Sequence, residues 1–121
     1  NIFLYLEEID LCKRLLSNNQ KIYANNYAKI IHLGAKSSNL GFEYEKCRSW
    51  HWMWSKFYYN KKYKGYIFSF VKTFPTFTFS FLKYFFYKLS GNHKKKEIYK
   101  MRLLGLLNSY LLRKSFYRPQ I

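Results

Sequence analysis

The two parts of this chain differ sharply in charge and in aromatic content. Residues 1–45 carry five basic and five acidic side chains, whereas residues 46–121 carry seventeen basic side chains and one acid, Glu97. Six aromatic residues precede position 46 and twenty-two follow it, so the formal net charge of +16 lies entirely in the aromatic part. Two different surfaces therefore share one chain, and we expect a change of role near Gly41, with one unit at residues 1–42 and another at 43–121.

Periodicity predicts short mixed structure in the first unit. Apolar spacing favours a helix over residues 10–16 that ends at Ser17-Asn18-Asn19. Residues 21–24 and 29–33 have the composition of two short strands, with Asn25-Asn26 as the turn between them. The polar run from Gly34 to Asn39 is expected to be a loop.

The second unit is expected to be mainly helical. The predicted helices cover residues 43–63, 66–89 and 94–112. Lys64-Gly65 and Ser90-Gly91-Asn92 supply the breaks between them, and Pro75 is expected to kink or restart the second helix.

The aromatic stretch from Ile67 to Leu89 raises the question of a membrane. Its longest uncharged run, residues 73–82, has ten residues, whereas a span needs about 20 apolar ones. Lys72 and Lys83 lie eleven residues apart, three helical turns, and would share one face, with Phe77 and Phe81 on the apolar side. This pattern predicts a helix lying on an anionic membrane surface, and the run Lys94-Lys95-Lys96 would add to that attraction.

Two other interpretations of the basic aromatic unit stay open. The aromatic side chains could form the core of a helical bundle whose lysines face water. A nucleic acid could bind through basic and stacking side chains, but no helix-turn-helix, zinc-finger, RNA-recognition or KH signature is present. The basic residues are spread along apolar helices, so nucleic acid is the least favoured partner.

Half of the six acidic residues lie within four positions, as Glu7, Glu8 and Asp10. Carboxylates repel one another, so such a cluster suggests a metal ion, basic side chains or a hydroxyl to be deprotonated. Alternatively, the three acids form the first turn of a helix, where each complements the helix dipole by about 0.3–1 kcal/mol.

The two cysteines, Cys12 and Cys47, are too few for a disulfide scaffold and suit a reducing setting. A metal site that joins them to His32 and His51 is conceivable, because Cys47 and His51 are four residues apart and would share a helix face. Structural zinc sites usually show closer pairs such as Cys-x2-Cys, so packed side chains are the better interpretation.

Several segments closely resemble the family 2 glycosyltransferases of the GT-A type, and most nearly their rhamnosyltransferase-like branch. An acidic motif, Glu7-Glu8-Ile9-Asp10, is followed by the loop His32-Leu33-Gly34-Ala35-Lys36-Ser37. The segments that carry the resemblance are residues 3–15, 21–23 and 31–38, and then the tail-like residues 48–59 and 114–119. The resemblance implies an α/β fragment, the C-terminal part of a GT-A domain with a short helix and two short strands, followed by a mainly helical tail.

The resemblance also implies roles for individual residues. Inverting sugar transfer needs a base beside the acceptor hydroxyl and a counter-charge for the departing nucleotide diphosphate. The second acid of the pair, Glu8, matches the base, with Glu7 and Asp10 as supporting residues. His32 matches a ligand of the divalent ion, Mn2+ or Mg2+, that the full-length protein would hold. Lys36, Ser37 and Ser38 follow in a flexible loop that is suited to phosphate contacts. Arg14 would either pair with an acid of the cluster or help to hold the donor.

The expected reaction moves a sugar such as rhamnose from a nucleotide-diphosphate donor to a glycan or lipid-linked acceptor in bacterial surface polysaccharide or lipopolysaccharide synthesis. The chain opens in mid-pattern and contains no Asp-x-Asp motif, so we interpret it as a C-terminal fragment that is inactive alone. The expected location is cytoplasmic, peripheral on the inner face of the cytoplasmic membrane. The alternative is a non-catalytic basic helical module that binds a membrane surface or nucleic acid.

Overall fold

The computed structural model describes residues 2, 4–31 and 41–118, and these residues form four α-helices and no strand. The helices are α1 (Glu7–Ser17), α2 (Gly41–Lys64), α3 (Tyr66–Leu89) and α4 (His93–Tyr110). The expected α/β fragment is therefore wrong, because helices are the only regular secondary structure in the described residues. The predicted helical tail is confirmed, with α2, α3 and α4 close to their expected bounds.

Neither predicted strand is present in the described residues. Residues 21–25 and 28–31 have no regular structure, and every residue from 16 to 31 is exposed. A turn does lie at the predicted Asn25-Asn26 position, where the Tyr27 amide donates to Asn25 Oδ1 over 3.0 Å. A strand is stabilised by a partner strand and by burial of one face, and this segment has neither among the described residues. Its β-branched and aromatic composition alone was therefore misleading.

Glycines separate the long helices at the predicted positions. Gly65, between α2 and α3, has φ of +83°, and Gly91, between α3 and α4, has φ of +70°. Residues with a side chain rarely adopt a positive φ, so glycine is the favoured residue at both breaks. Asn92 then caps α4, since its side-chain oxygen accepts the Lys95 amide over 3.1 Å. Pro75 lies inside α3, which continues through it without a restart.

The hydrophobic core lies where α2 meets α4. One cluster contains Trp50, Trp54 and Met101, and a second contains Met53, Phe57 and Leu106. All six side chains are at most 9% exposed. The α2 helix therefore contributes two of its three tryptophans, with Met53 and Phe57, to the interior, as expected for a helix of a globular protein.

The α2 and α4 helices approach closely at Gly105. A Cβ atom at this position would collide with the backbone carbonyl of Trp50 and would lie 3.3 Å from Met53 Cβ. Only a residue without a side chain allows this separation, so Gly105 is required by packing rather than by backbone conformation.

Candidate functional site

The α3 helix differs from α2 in the kind of side chain that it buries. Its buried residues are all small and polar: Ser69 and Thr73 are 0% exposed and Ser80 is 1% exposed. These residues follow one another at intervals of four and seven, so they lie on one helix face, which packs within the bundle. Small residues at a helix interface let two backbones come close together, and they are typical of helices that associate in membranes.

The opposite side of α3 is apolar and solvent-exposed. We call it the outer face of α3, defined by six residues that are each 53% to 88% exposed. They are Ile67, Val71, Phe79, Leu82, Phe86 and Leu89. Single exposed apolar residues are ordinary on a protein surface, but a row of six on one helix indicates an interaction surface.

Three hydroxyl groups of α3 are satisfied within the helix, whereas Ser80 Oγ is buried without a partner among the described residues. Ser69 Oγ donates to the Gly65 carbonyl over 2.8 Å, and Thr73 Oγ1 donates to the Ser69 carbonyl over 2.7 Å. On the exposed side, Thr78 Oγ1 donates to the Phe74 carbonyl over 3.2 Å. A hydroxyl bonded to the carbonyl four residues earlier needs no water, so these residues fit an apolar environment.

Lysines lie beside the aromatic rings of α3. Lys64 Nζ is 4.8 Å from the centre of the Phe68 ring, and Lys83 Nζ is 5.5 Å from that of Phe79. Lys72 Nζ is 5.8 Å from the Phe68 ring and also donates to Asn60 Oδ1 over 3.0 Å. Positive charge therefore borders the apolar surface, as it does in helices that lie in a membrane interface.

One of the two phenylalanines expected on the apolar side lies inside the bundle. Phe77 packs against the cluster of Met53, Phe57 and Leu106, whereas Phe81 is 45% exposed. The packed face formed by Ser69, Thr73 and Ser80 was not predicted, although their spacing of four and seven residues places them on one side of a helix. A stripe of small polar residues on an aromatic helix identifies the packed face, and the large residues then lie outside it.

Within the described residues, no helix has both the length and the apolar character needed to cross a bilayer.

The acidic cluster is divided by the fold. Asp10 is 8% exposed and accepts hydrogen bonds from Lys62 Nζ at 2.6 Å and from Tyr63 Oη at 2.8 Å. Arg14 Nε donates to the same carboxylate over 3.1 Å. Burial acts to raise the pKa of the Asp10 carboxyl group, but the hydrogen bonds from Lys62, Tyr63 and Arg14 outweigh it and lower the pKa. Asp10 therefore attaches α1 to the end of α2.

The other two acids of the cluster remain accessible. Glu7 and Glu8 are exposed in the first turn of α1, where they complement the helix dipole. Arg14 is paired with Asp10, which is one of the two roles expected for it. The remaining predicted site residues, His32, Lys36, Ser37 and Ser38, lie outside the described residues.

The cysteine and histidine positions do not form a metal site in the part of the chain that the structure describes, where no group of three or more possible ligands occurs. Cys47 is buried, and its burial raises the pKa of the thiol. His51 is 0% exposed, and its Nε2 lies 2.7 Å from the Tyr117 carbonyl. A carbonyl can only accept, so Nε2 carries the proton, and Nδ1 can accept from Ser115 Oγ over 3.2 Å.

The His51 contacts hold the segment after α4 against α2. Trp54 Nε1 adds a hydrogen bond of 3.1 Å to the Arg113 carbonyl. Burial lowers the pKa of His51, although its bond to the Tyr117 carbonyl acts in the opposite direction. Cys47 and His51 are therefore packed side chains, as the sequence analysis favoured.

No family model matches this chain, and comparisons with curated proteins and with solved structures find no match either. Together with the all-helical fold, this result contradicts the resemblance to family 2 glycosyltransferases of the GT-A type. The two short strands that the resemblance implied are absent from the described residues.

Proposed function

We propose that this chain is a basic helical module that attaches to an anionic membrane surface through the outer face of α3. The observation that carries the proposal is the orientation of α3, which buries Ser69, Thr73 and Ser80 and exposes most of its large apolar side chains. In water this orientation is unfavourable, because each fully exposed large apolar side chain forgoes about 1.5–3 kcal/mol of burial. Contact with the acyl region of a membrane would recover part of that free energy.

Charge supports an anionic membrane as the occupant. The formal net charge is +16, and Lys64, Lys72 and Lys83 border the apolar surface of α3. Each basic residue near an anionic leaflet contributes about 1 kcal/mol, and anionic lipid is characteristic of the cytoplasmic leaflet. We therefore propose a peripheral position on the inner face of the cytoplasmic membrane. A nucleic acid would pair its phosphates with the basic side chains but would leave the apolar outer face of α3 exposed to water.

The test compares two leucines with nearly equal exposure. Leu82, on the outer face of α3, is 62% exposed, and Leu16, on α1, is 60% exposed. Leu82→Asp should reduce binding to vesicles that contain one third phosphatidylglycerol by tenfold or more, whereas Leu16→Asp should change it less than twofold. Co-sedimentation at several salt concentrations measures both the electrostatic part and the salt-resistant remainder.

Three outcomes would contradict the proposal. Equal binding to neutral and anionic vesicles would exclude the role of charge, and equal loss in both variants would exclude the outer face of α3. Tighter binding to a single-stranded oligonucleotide than to anionic vesicles would favour the nucleic-acid alternative. A concentration-dependent dimer that Leu82→Asp dissociates, without vesicle binding, would show that a second copy covers this face.

Inverting sugar transfer with Glu8 as the base is a second candidate. The observation that favours it is that Glu8 remains exposed and follows two left-handed residues, Tyr5 with φ of +67° and Leu6 with φ of +66°. Strained backbone of this kind is concentrated at functional sites. A nucleotide-diphosphate sugar, a glycan or lipid-linked acceptor and a divalent ion would all be required.

The test of this candidate uses the protein as its gene encodes it. Release of nucleoside diphosphate from activated sugars is measured with Mn2+ or Mg2+ present. Glu8→Gln should lower turnover by two orders of magnitude or more, because it removes a proton acceptor without a change in shape. Glu43→Gln, which removes another acid in a helix first turn, is the control. Absence of turnover, or equal turnover in the two variants, would exclude Glu8 as a catalytic base.

A further inference from the structure

A cleft of about 490 Å³ lies between the first half of α2 and the first half of α4. Its walls include Arg48 and Trp52 from α2, Arg102 from α4, and Tyr5 from the segment before α1. The volume falls within the range of about 300–1,000 Å³ that is usual for small-molecule sites. None of these residues belongs to the outer face of α3, so the cleft is a separate feature.

One nitrogen of Arg102, a residue that lines this cleft, has no hydrogen-bond acceptor among the described residues. That nitrogen is Nε, which is buried. The guanidinium carbon lies 4.9 Å from the centre of the Tyr99 ring, a contact that supports the positive charge but accepts no hydrogen bond from Nε. Buried donors are almost always paired in native proteins, so an unpaired arginine nitrogen at a cleft indicates an absent acceptor.

Arg48 places a second guanidinium on the same cleft. Its Nε donates to the Tyr5 hydroxyl, and its guanidinium carbon lies 5.6 Å from the centre of the Tyr44 ring. These contacts hold the side chain in place at the wall of the cleft. Two guanidinium groups of the same charge on one small cleft favour an anion, and their planar forks match phosphate oxygens in particular.

The remaining walls suit a ligand that also carries hydroxyl groups. Glu45 provides a carboxylate acceptor, and Ser49 provides a hydroxyl that both donates and accepts. Trp52 is 42% exposed and meets the Tyr5 ring edge-to-face, with 5.3 Å between the ring centres. An aromatic wall of this kind can cover the apolar side of a sugar ring or a polyol.

We propose that this cleft binds a phosphate ester that carries hydroxyl groups, with Arg48 and Arg102 on the phosphate and with Glu45 and Ser49 on the hydroxyls. The ligand is either a soluble sugar phosphate or the headgroup of a polyol-bearing phospholipid. Both sources present the same chemistry to the cleft, and the experiment distinguishes them.

The soluble source is tested by calorimetric titration of the folded chain with glucose 1-phosphate and, separately, with glucose. We expect the phosphate ester to bind and glucose to show no measurable binding. Arg102→Gln should weaken binding of the phosphate ester at least tenfold, because hydrogen bonds to a charged donor are about twice as strong as neutral ones. Arg113→Gln removes the same charge outside the cleft and should weaken it less than twofold. Arg102→Lys keeps the positive charge but loses the planar guanidinium that binds phosphate through two hydrogen bonds, so its effect should be intermediate.

The lipid source is tested with two vesicle preparations of equal negative charge, one with phosphatidylinositol and one with phosphatidylserine. A preference for phosphatidylinositol that disappears in Arg102→Gln and persists in Arg113→Gln would assign the ligand to the lipid headgroup. Arg48→Gln provides a second variant for either source, and circular dichroism with thermal unfolding shows that each variant is folded.

The proposal is overturned if wild-type chain binds neither glucose 1-phosphate nor phosphatidylinositol in preference to phosphatidylserine. It is also overturned if Arg113→Gln has the same effect as folded Arg102→Gln and Arg48→Gln, because the binding would then follow net charge alone. Leu82→Asp should leave glucose 1-phosphate binding unchanged, so failure of this proposal and failure of membrane attachment can be told apart.

Discussion

The α2 and α3 helices each have 24 residues and are both rich in aromatic side chains, yet only α2 fully buries large aromatic residues. The α2 helix places Trp50, Trp54 and Phe57 in the interior. The α3 helix places serine and threonine there and leaves most of its phenylalanines exposed. Aromatic content therefore does not indicate which side of a helix is buried. The position of the small residues does, because they allow close packing.

This difference also separates the roles of the two helices. The core of the described fold lies between α2 and α4, so α2 supplies stability. The α3 helix packs on α4 and α2 through its small face and presents a large apolar surface outward. Changing the exposed residues of such a helix should cost little stability. Under the proposed function, the same changes should weaken binding to a membrane.

The largest expected effect contrasts two phenylalanines. Phe57, in α2, is 1% exposed, and Phe86, in α3, is 59% exposed. Phe57→Ala should lower the free energy of unfolding by about 3–5 kcal/mol, because it leaves a cavity in the core. Phe86→Ala should change it by less than about 0.5 kcal/mol. Urea unfolding followed by circular dichroism measures both, and equal losses would remove the contrast between the helices.

The next effect sharpens the contrast at the contact of α2 with α4. Gly105→Ala should lower the free energy of unfolding by up to about 3 kcal/mol, because the added Cβ atom collides with the Trp50 carbonyl. This loss would occur although alanine favours a helix over glycine by about 1 kcal/mol. Thermal unfolding provides the measurement, with exposed Leu107→Ala as the control. A more stable Gly105→Ala variant would show that the helices are farther apart.

A smaller effect compares the two faces of α3 directly. Thr73 is 0% exposed and its hydroxyl lies 3.0 Å from that of Tyr110, whereas Thr78 is on the exposed side. Thr73→Leu should lower the free energy of unfolding by about 1–2 kcal/mol, since the larger side chain overfills the interface. Thr78→Leu should leave stability within about 0.5 kcal/mol of wild type and strengthen vesicle binding. The reverse order of stabilities would mean that Thr78, and not Thr73, lies on the packed face of α3.

The smallest effect concerns Asp10, which joins α1 to the end of α2. Asp10→Asn should lower the free energy of unfolding by about 1 kcal/mol at pH 7, because it weakens the hydrogen bonds from Lys62 and Tyr63. The pKa of Asp10 is lowered in the folded chain, since these hydrogen bonds outweigh its burial.

The sign of the pH dependence follows from that lowered pKa. The contribution of Asp10 is fully present above its unfolded-state pKa, about 3.9, and it is lost as the pH falls through the folded-state value. Urea unfolding between pH 7 and pH 3 should therefore show wild type and Asp10→Asn converging as the pH falls. A difference that stays constant over this range would assign the loss to packing.

Local sequence signals predicted the long helices well. Apolar periodicity and the glycines at positions 65 and 91 located α2, α3 and α4 to within three residues at each end. These signals act within a few residues of the feature they determine, so they can be read without knowledge of the fold. The strands predicted at residues 21–24 and 29–33 are absent from the described residues. A strand depends on a partner elsewhere in the chain, and composition does not supply one.

The sequence by itself determined the net charge, the helical tail with its breaks, and the presence of an acidic cluster in a basic chain. Only the tertiary structure decided how these features are used. It joined Asp10 to Lys62, 52 residues away, and it turned the small residues of α3 inward and most of its phenylalanines outward. Both outcomes depend on contacts between distant segments, since the face that a helix buries is set by the surface it packs against.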